Sequence, residues 1–109
     1  MTLNELNTLE DITIVHPNSN DLAIQGLYIG DLLSVVMAKS KEGQLWLTVQ
    51  THLNVLAVAS LKDLVGIVFV DGQEPEEETI KKAEELDMPL YKTNLSAYEL
   101  TKKLVQLGL

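Results

Sequence analysis

Short apolar runs alternate with polar corners along this chain, and the period of the runs changes from one to the next. Thr2-Leu-Asn-Glu5 has capping-box spacing with Leu3, Leu6 and Leu9 on one side, which predicts a short helix. A strand through Ile12, Thr13, Ile14 and Val15 follows, ended by the turn-forming cluster His16-Pro17-Asn18-Ser19-Asn20. Leu22 to Ile29 is expected to be extended. Asp31 is placed to cap a helix with Leu32, Leu33, Val36 and Met37 on its inner face, closed by Glu42-Gly43.

From Gln44 onward the rhythm is regular. Gln44 to Val49 predicts a strand and Leu53 to Leu64 a helix. Val65-Gly-Ile-Val-Phe-Val70 predicts a strand buried on both faces, because it shows no polar alternation. Pro75 suits a first helical turn, with Glu76, Glu77 and Glu78 at the positive end of the helix dipole. Ile80, Ala83 and Leu86 would face inward, with Glu77–Lys81 and Glu78–Lys82 as i, i+4 pairs outside. Met88 to Tyr91 predicts a strand begun by Pro89. Ser96-Ala-Tyr-Glu99 is a second capping box, and Leu95 with Leu100 a hydrophobic staple. Leu100, Leu104 and Leu107 line the final helix. Strands each followed closely by a helix imply right-handed βαβ units, so the expected fold is a single α/β domain over residues 1–109, a three-layer α/β/α with a mainly parallel sheet.

The 53–64 helix has almost no polar face, since Leu53, Val55, Leu56, Ala57, Val58 and Ala59 are all apolar. A surface helix of so small a domain should have one. The expectation is a symmetric homodimer that buries this helix, with burial under Thr2 to Val15 as the competing arrangement.

Charge narrows the function classes. The net charge is −8, and Asp71 to Asp87 holds eight acids against Lys81 and Lys82, a local −6. Such a chain repels phosphate backbones and anionic membranes, so neither nucleic acid nor membrane is expected as a partner. A single acidic run of this kind reads first as a solvated helix face. With no cysteine there are no disulfides or thiolate sites. The N-terminus lacks a basic region followed by an apolar core, and the apolar runs fall short of the ~18 residues a membrane span needs. A cytoplasmic location is expected.

The polar residues gather where strands turn into helices: Gln50, Thr51, His52 and Asn54; Asp71 and Gly72; Thr93 and Ser96. In open α/β sheets ligands sit beyond the carboxyl ends of the strands, and helix N-termini there offer N–H groups to an anion. Simpler roles compete. Thr51 is a natural N-cap, Asp71-Gly72 a turn dipeptide, and Ser96 is explained by its capping box. Four polar residues within five, Gln50 to Asn54, exceed what one cap requires. No metal is expected, because His52 and His16 have no converging ligands at a metal-binding spacing. Neither a nucleophile elbow nor a Gly-rich phosphate loop is present, and no cofactor is indicated. An acid–base pair of His52 with Asp31 or Asp71 is the one catalytic arrangement left open.

Three stretches carry a family likeness. Ile24-Gln-Gly26-Leu-Tyr28-Ile-Gly-Asp31-Leu32-Leu33-Ser34 resembles the segment around the motif that names the DRTGG domain. Trp46-Leu-Thr-Val-Gln50-Thr51-His52-Leu-Asn54 and Val70-Asp71-Gly72-Gln-Glu74-Pro75 resemble later blocks of its small stand-alone members. The likeness covers about residues 10 to 109. It implies a fold like the N-terminal domain of HPr kinase/phosphorylase, a homodimer and an accessory or regulatory role. It adds Gly26, Tyr28 and Asp31 to the candidate residues. The chain departs from the motif: Asp21-Leu-Ala-Ile-Gln25-Gly26 keeps the outer residues and lacks the Arg-Thr pair. The combined expectation is a non-catalytic, ligand-sensing module for a small anionic metabolite, a nucleotide or a partner protein. The alternatives are a small enzyme using His52 and a purely structural partner subunit.

Overall fold

The computed structural model describes residues 1–109. Helix α1 (Leu3–Leu6) precedes strand β1 (Thr13–His16), and β2 (Leu27–Ile29) leads into α2 (Leu33–Lys39). Then β3 (Leu45–Thr48), α3 (Asn54–Leu61), β4 (Gly66–Phe69), α4 (Glu77–Leu86), β5 (Leu90–Lys92) and α5 (Ala97–Gln106) alternate as the sequence predicts. The strands form one five-stranded sheet in the order β1-β5-β4-β3-β2. All neighbours are parallel except β1, which runs antiparallel to β5 at the edge. The expected α/β class and mainly parallel sheet are what the structure shows.

The sheet divides the core in two. Leu45, Leu47, Val68, Val70 and Tyr91 face α1 and α5, with Leu3, Leu6, Leu100 and Leu104 packed on them. Trp46, Ile67, Phe69 and Leu90 face the other way, against Val36, Val55, Leu56, Val58, Ala59 and Ala83 of α2, α3 and α4. Every residue of β3 and β4 is buried, as strands covered on both faces must be. From β2 to β5 each strand lies beside the one before it, and right-handed crossovers taken in one direction put all three linking helices on one face. The opposite face is left to α5 and to the chain's own beginning.

That arrangement explains α3. It lies between α2 and α4 over the sheet, burying Val55, Leu56, Val58 and Ala59 and exposing Ala57, Ser60 and Leu61. The N-terminal segment does not cover it, contrary to the competing expectation, because α1 packs on the other face. There α1 is fixed by a complete Thr2–Glu5 capping box and by the strand-crossing segment, through Leu3 N–H to Leu22 O (3.0 Å) and Ile24 N–H to Met1 O (2.8 Å).

Several local expectations change. Asp31 does not cap α2; Leu32 holds that position with no side-chain cap. Nor does Thr51 cap α3, whose N-cap is Leu53. Pro75 lies before the N-cap Glu76 rather than inside the first turn. Lys81 pairs with Glu77 at 4.0 Å, but Lys82 turns to Glu85 at 3.3 Å instead of Glu78. Leu107 ends α5 half exposed. The Ser96–Glu99 capping box is complete, as expected. No helix is long and apolar enough to cross a membrane.

Opposite the strand carboxyl ends, Asp87 closes α4 in a left-handed conformation (φ 53°). Its carboxylate accepts from Ser19 Oγ (2.5 Å) and pairs with His16 Nε2 (3.2 Å), tying the end of β1 to α4. Those bonds, Ser19 first, hold the Asp87 carboxyl below the usual carboxylate range. Bonds from Ser96 do the same for Glu99.

Two substitutions in the α1/α5 half of the core should have opposite signs. A Cβ on Gly66 would lie 3.1 Å from Pro89 O and 3.3 Å from the Tyr91 ring, so Gly66→Ala should cost about 1–3 kcal/mol. The Tyr91 hydroxyl is buried without a protein hydrogen-bond partner, and burial pushes its pKa up to about 12. Tyr91→Phe should therefore match or exceed the parent in urea unfolding, since an unpaired buried hydroxyl costs about 1–3 kcal/mol. A clear loss on Tyr91→Phe would show that the hydroxyl is satisfied. For acid stability, both lowered carboxyls contribute above the ordinary carboxylate range and lose that contribution as pH falls through their folded values. The pair Asp87→Asn and Glu99→Gln should flatten the acid limb of a stability–pH profile; asparagine keeps the left-handed backbone accessible.

Candidate functional site

Because β2 to β5 are parallel, the four junctions β2–α2, β3–α3, β4–α4 and β5–α5 open on one rim. Hydrogen bonds join each junction to the next. Asp31 Oδ1 accepts from Thr48 Oγ1 and from Val49 N–H, both at 2.9 Å, and Gln50 Nε2 donates to Asp31 O at 3.0 Å. This explains why Asp31 is no helix cap: its carboxylate is committed sideways to the neighbouring strand. Thr51 likewise acts through its carbonyl, which accepts from Glu76 N–H (3.2 Å) and Thr79 Oγ1 (2.7 Å). Asp71 N–H donates to Leu95 O at 2.8 Å and Gly72 N–H to Thr93 O at 3.0 Å. Asp71 and Gly72 both have positive φ, 57° and 72°, which the Asp-Gly pair tolerates better than most residues.

The predicted residues thus fall into three groups. Gln50, Thr51, His52, Asn54, Asp71, Gly72, Thr93, Ser96 and Asp31 share the rim. Tyr28 lies within β2, half buried against the α2 side of the core. Gly26 sits at the start of β2, on the opposite rim, where its carbonyl accepts from Leu45 N–H at 2.9 Å.

One end of the rim opens into a cleft of about 320 Å³. Gly72 and Gln73 line it from the β4 junction, Thr93, Asn94 and Leu95 from the β5 junction, and Thr13 from β1. Its charged residues are Glu10, Asp11, Glu74 and Lys92. Lys92 Nζ is held by both carboxylate oxygens of Glu74 at 2.8 and 2.9 Å, and Asp11 pairs with Lys103 of α5. That contact, together with Asp11's charge, raises the Lys103 pKa. Three acids stand against two lysines, both engaged in pairs, so the cleft is polar with a net charge of −1, Glu10 being the acid left without a partner. Of the predicted residues, Gly72 and Thr93 line it; His52 and its neighbours do not.

The starts of α3, α4 and α5 offer no ready anion site. The first turn of α5 is closed by its own Ser96–Glu99 box, and α4 starts with Glu76, Glu77 and Glu78. At α3 the ring of His52 supplies an acceptor, its Nδ1 taking Asn54 N–H at 3.3 Å. His52 makes no hydrogen bond to Asp31 or Asp71, and no cluster of three or more metal-binding side chains is present.

Sequence reasoning missed Glu10, Asp11, Thr13, Gln73, Glu74, Lys92, Asn94 and Leu95 as cleft residues. Gln73 and Asn94 lay in the polar corners already noted. Glu10, Asp11 and Thr13 had no signal, because nothing local says that β1 pairs with β5, which follows it by some 75 positions. Neither a known family model nor a curated protein matches the chain.

Asp31 braces two junctions at once, so Asp31→Ala should destabilise the domain by about 1–3 kcal/mol, as hydrogen bonds to charged groups do. His52→Ala, with an exposed ring and one long hydrogen bond, should unfold within ~0.5 kcal/mol of the parent. Urea midpoints of the two variants check the contrast.

Proposed function

We propose that this chain is a non-catalytic, DRTGG-type accessory module of the cytoplasm that binds a small polar ligand at its strand-tip cleft and works as a homodimer. The observation that carries the reading is the cleft itself, built from two adjacent strand-to-helix junctions that hydrogen-bond to each other. This is where open α/β sheets take their ligands. Ligand binding there would bear on both junctions together, which is what a sensing role requires.

The acidic lining changes the ligand class first expected. An anionic metabolite or nucleotide phosphate would find no free cation there, since Lys92 is paired with Glu74 and Lys103 with Asp11, and would meet Glu10, whose charge has no salt-bridge partner. A neutral polyol, an amide or a cationic amine suits the cleft better, with Gln73, Thr93 and Asn94 as hydrogen-bonding partners. Against an enzyme at this rim stands the lack of a base–acid pair there: His52 is bonded only to the backbone at Asn54, Asp31 is occupied structurally, and the His16–Asp87 pair lies at the opposite end of the sheet.

A thermal-shift panel of amines, polyols, amides, nucleotides and acyl phosphates tests the reading. One neutral or cationic member should raise the melting temperature by a few degrees, as mass action requires, and Asn94→Ala should abolish that shift without lowering the basal melting point. A shift from nucleotides alone would overturn the ligand class. Consumption of any member would overturn the non-catalytic role.

A further inference from the structure

The two edges of the sheet are finished differently. At the β1 edge the ladder is irregular between Ile14 and His16, and Pro17 follows directly. Bulges and prolines are common ways of blunting an edge. The β2 edge, Leu27-Tyr28-Ile29, has neither. Gly26 O accepts from Leu45 N–H, and Gly30 N–H donates to Leu47 O. By strand alternation Tyr28 also faces β3, so the N–H and C=O groups of Leu27 and Ile29 point away from the sheet. Around this open edge lie Ile29, Leu32, Val35 and Val49, exposed by 51%, 66%, 39% and 37%. Leu32 and Val35 are three apart and belong to one side of α2.

Resting on the homodimer reading above, we propose that a second copy of this chain occupies this edge, β2 pairing antiparallel with its equivalent about a two-fold axis at Tyr28. Leu27 of each copy then faces Ile29 of the other, and their free backbone groups pair. Charge favours a second copy here. Residues 22–50 hold two acids, Asp31 and Glu42, and two lysines, Lys39 and Lys41, so this region is neutral in a chain of net charge −8. The charges are also polarised. Asp31 lies at the strand-tip end of α2, while Lys39, Lys41 and Glu42 lie at the other end with a net +1. A two-fold axis brings each end against its opposite, as an isologous contact requires. Ala57, Ser60 and Leu61, exposed on α3, are left outside this interface.

Light scattering on the whole chain tests the surface. The parent should have the mass of two chains. Ile29→Lys and Val35→Glu should weaken association by roughly tenfold or more, because each sets a charge in the desolvated contact. Leu61→Lys should leave it unchanged. Val35 is an exposed helix residue, so V35E keeps the test alive if I29K does not fold. As a positive readout, Tyr28→Cys in this cysteine-free chain should give a disulfide-linked dimer on oxidation, its Cα atoms facing at the ~4.5 Å of a non-hydrogen-bonded pair. A parent mass of one chain would overturn both the homodimer and this surface. A two-chain mass retained by both I29K and V35E, or lost in L61K, would overturn the surface and leave the homodimer standing.

Discussion

Parallel pairing of β3 with β4 is the constraint on which the rest of the molecule depends. All eight of their residues are buried, and the ladder matches Leu45 to Gly66 through Thr48 to Phe69 without a break. A parallel pair cannot be joined by a tight turn, so a helix must return the chain, and buried strands need cover on both sides. From this follow the three helices on one face, the recruitment of α1 and α5 to the other, and the gathering of every strand-to-helix corner on one rim. The polar corners are then too close to remain independent. Asp31, Thr51 and Asp71 each bond to the next junction rather than to their own helix.

This sideways bonding marks the limit of what a linear reading reaches. Element types and order were legible because apolar period, capping boxes and breaker residues are local signals, as at Ser96–Glu99 and in the unbroken 65–70 run. The shared rim was legible too, since it follows from parallel strands. The partners of single polar residues were not. Asp31 and Thr51 stand where caps belong, yet the Asp31 carboxylate accepts from Thr48 and Val49 at the end of β3, and the Thr51 carbonyl from Glu76 and Thr79 at the start of α4, partners that only the fold brings near. One wall of the cleft was likewise invisible, because Glu10, Asp11 and Thr13 arrive with an antiparallel edge strand that local sequence does not position.

The apolar character of α3 shows how a correct observation can have more than one structural answer. A helix with no polar face needs cover, and the middle place among three helices supplies most of it without a partner. The unsatisfied surface lies instead at the β2 edge, where a three-residue strand with modest alternation gave the sequence little to announce.

The chain contains a single tryptophan, and its location has a practical consequence. Trp46 is fully buried in β3 beside the outermost parallel strand, and its indole N–H donates to Gly30 O at 2.8 Å. Its emission is thereby a native optical gauge of that border. Any event that pulls β2 and the turn after it from the sheet must wet the indole, so red-shifted fluorescence will record the detachment without a label.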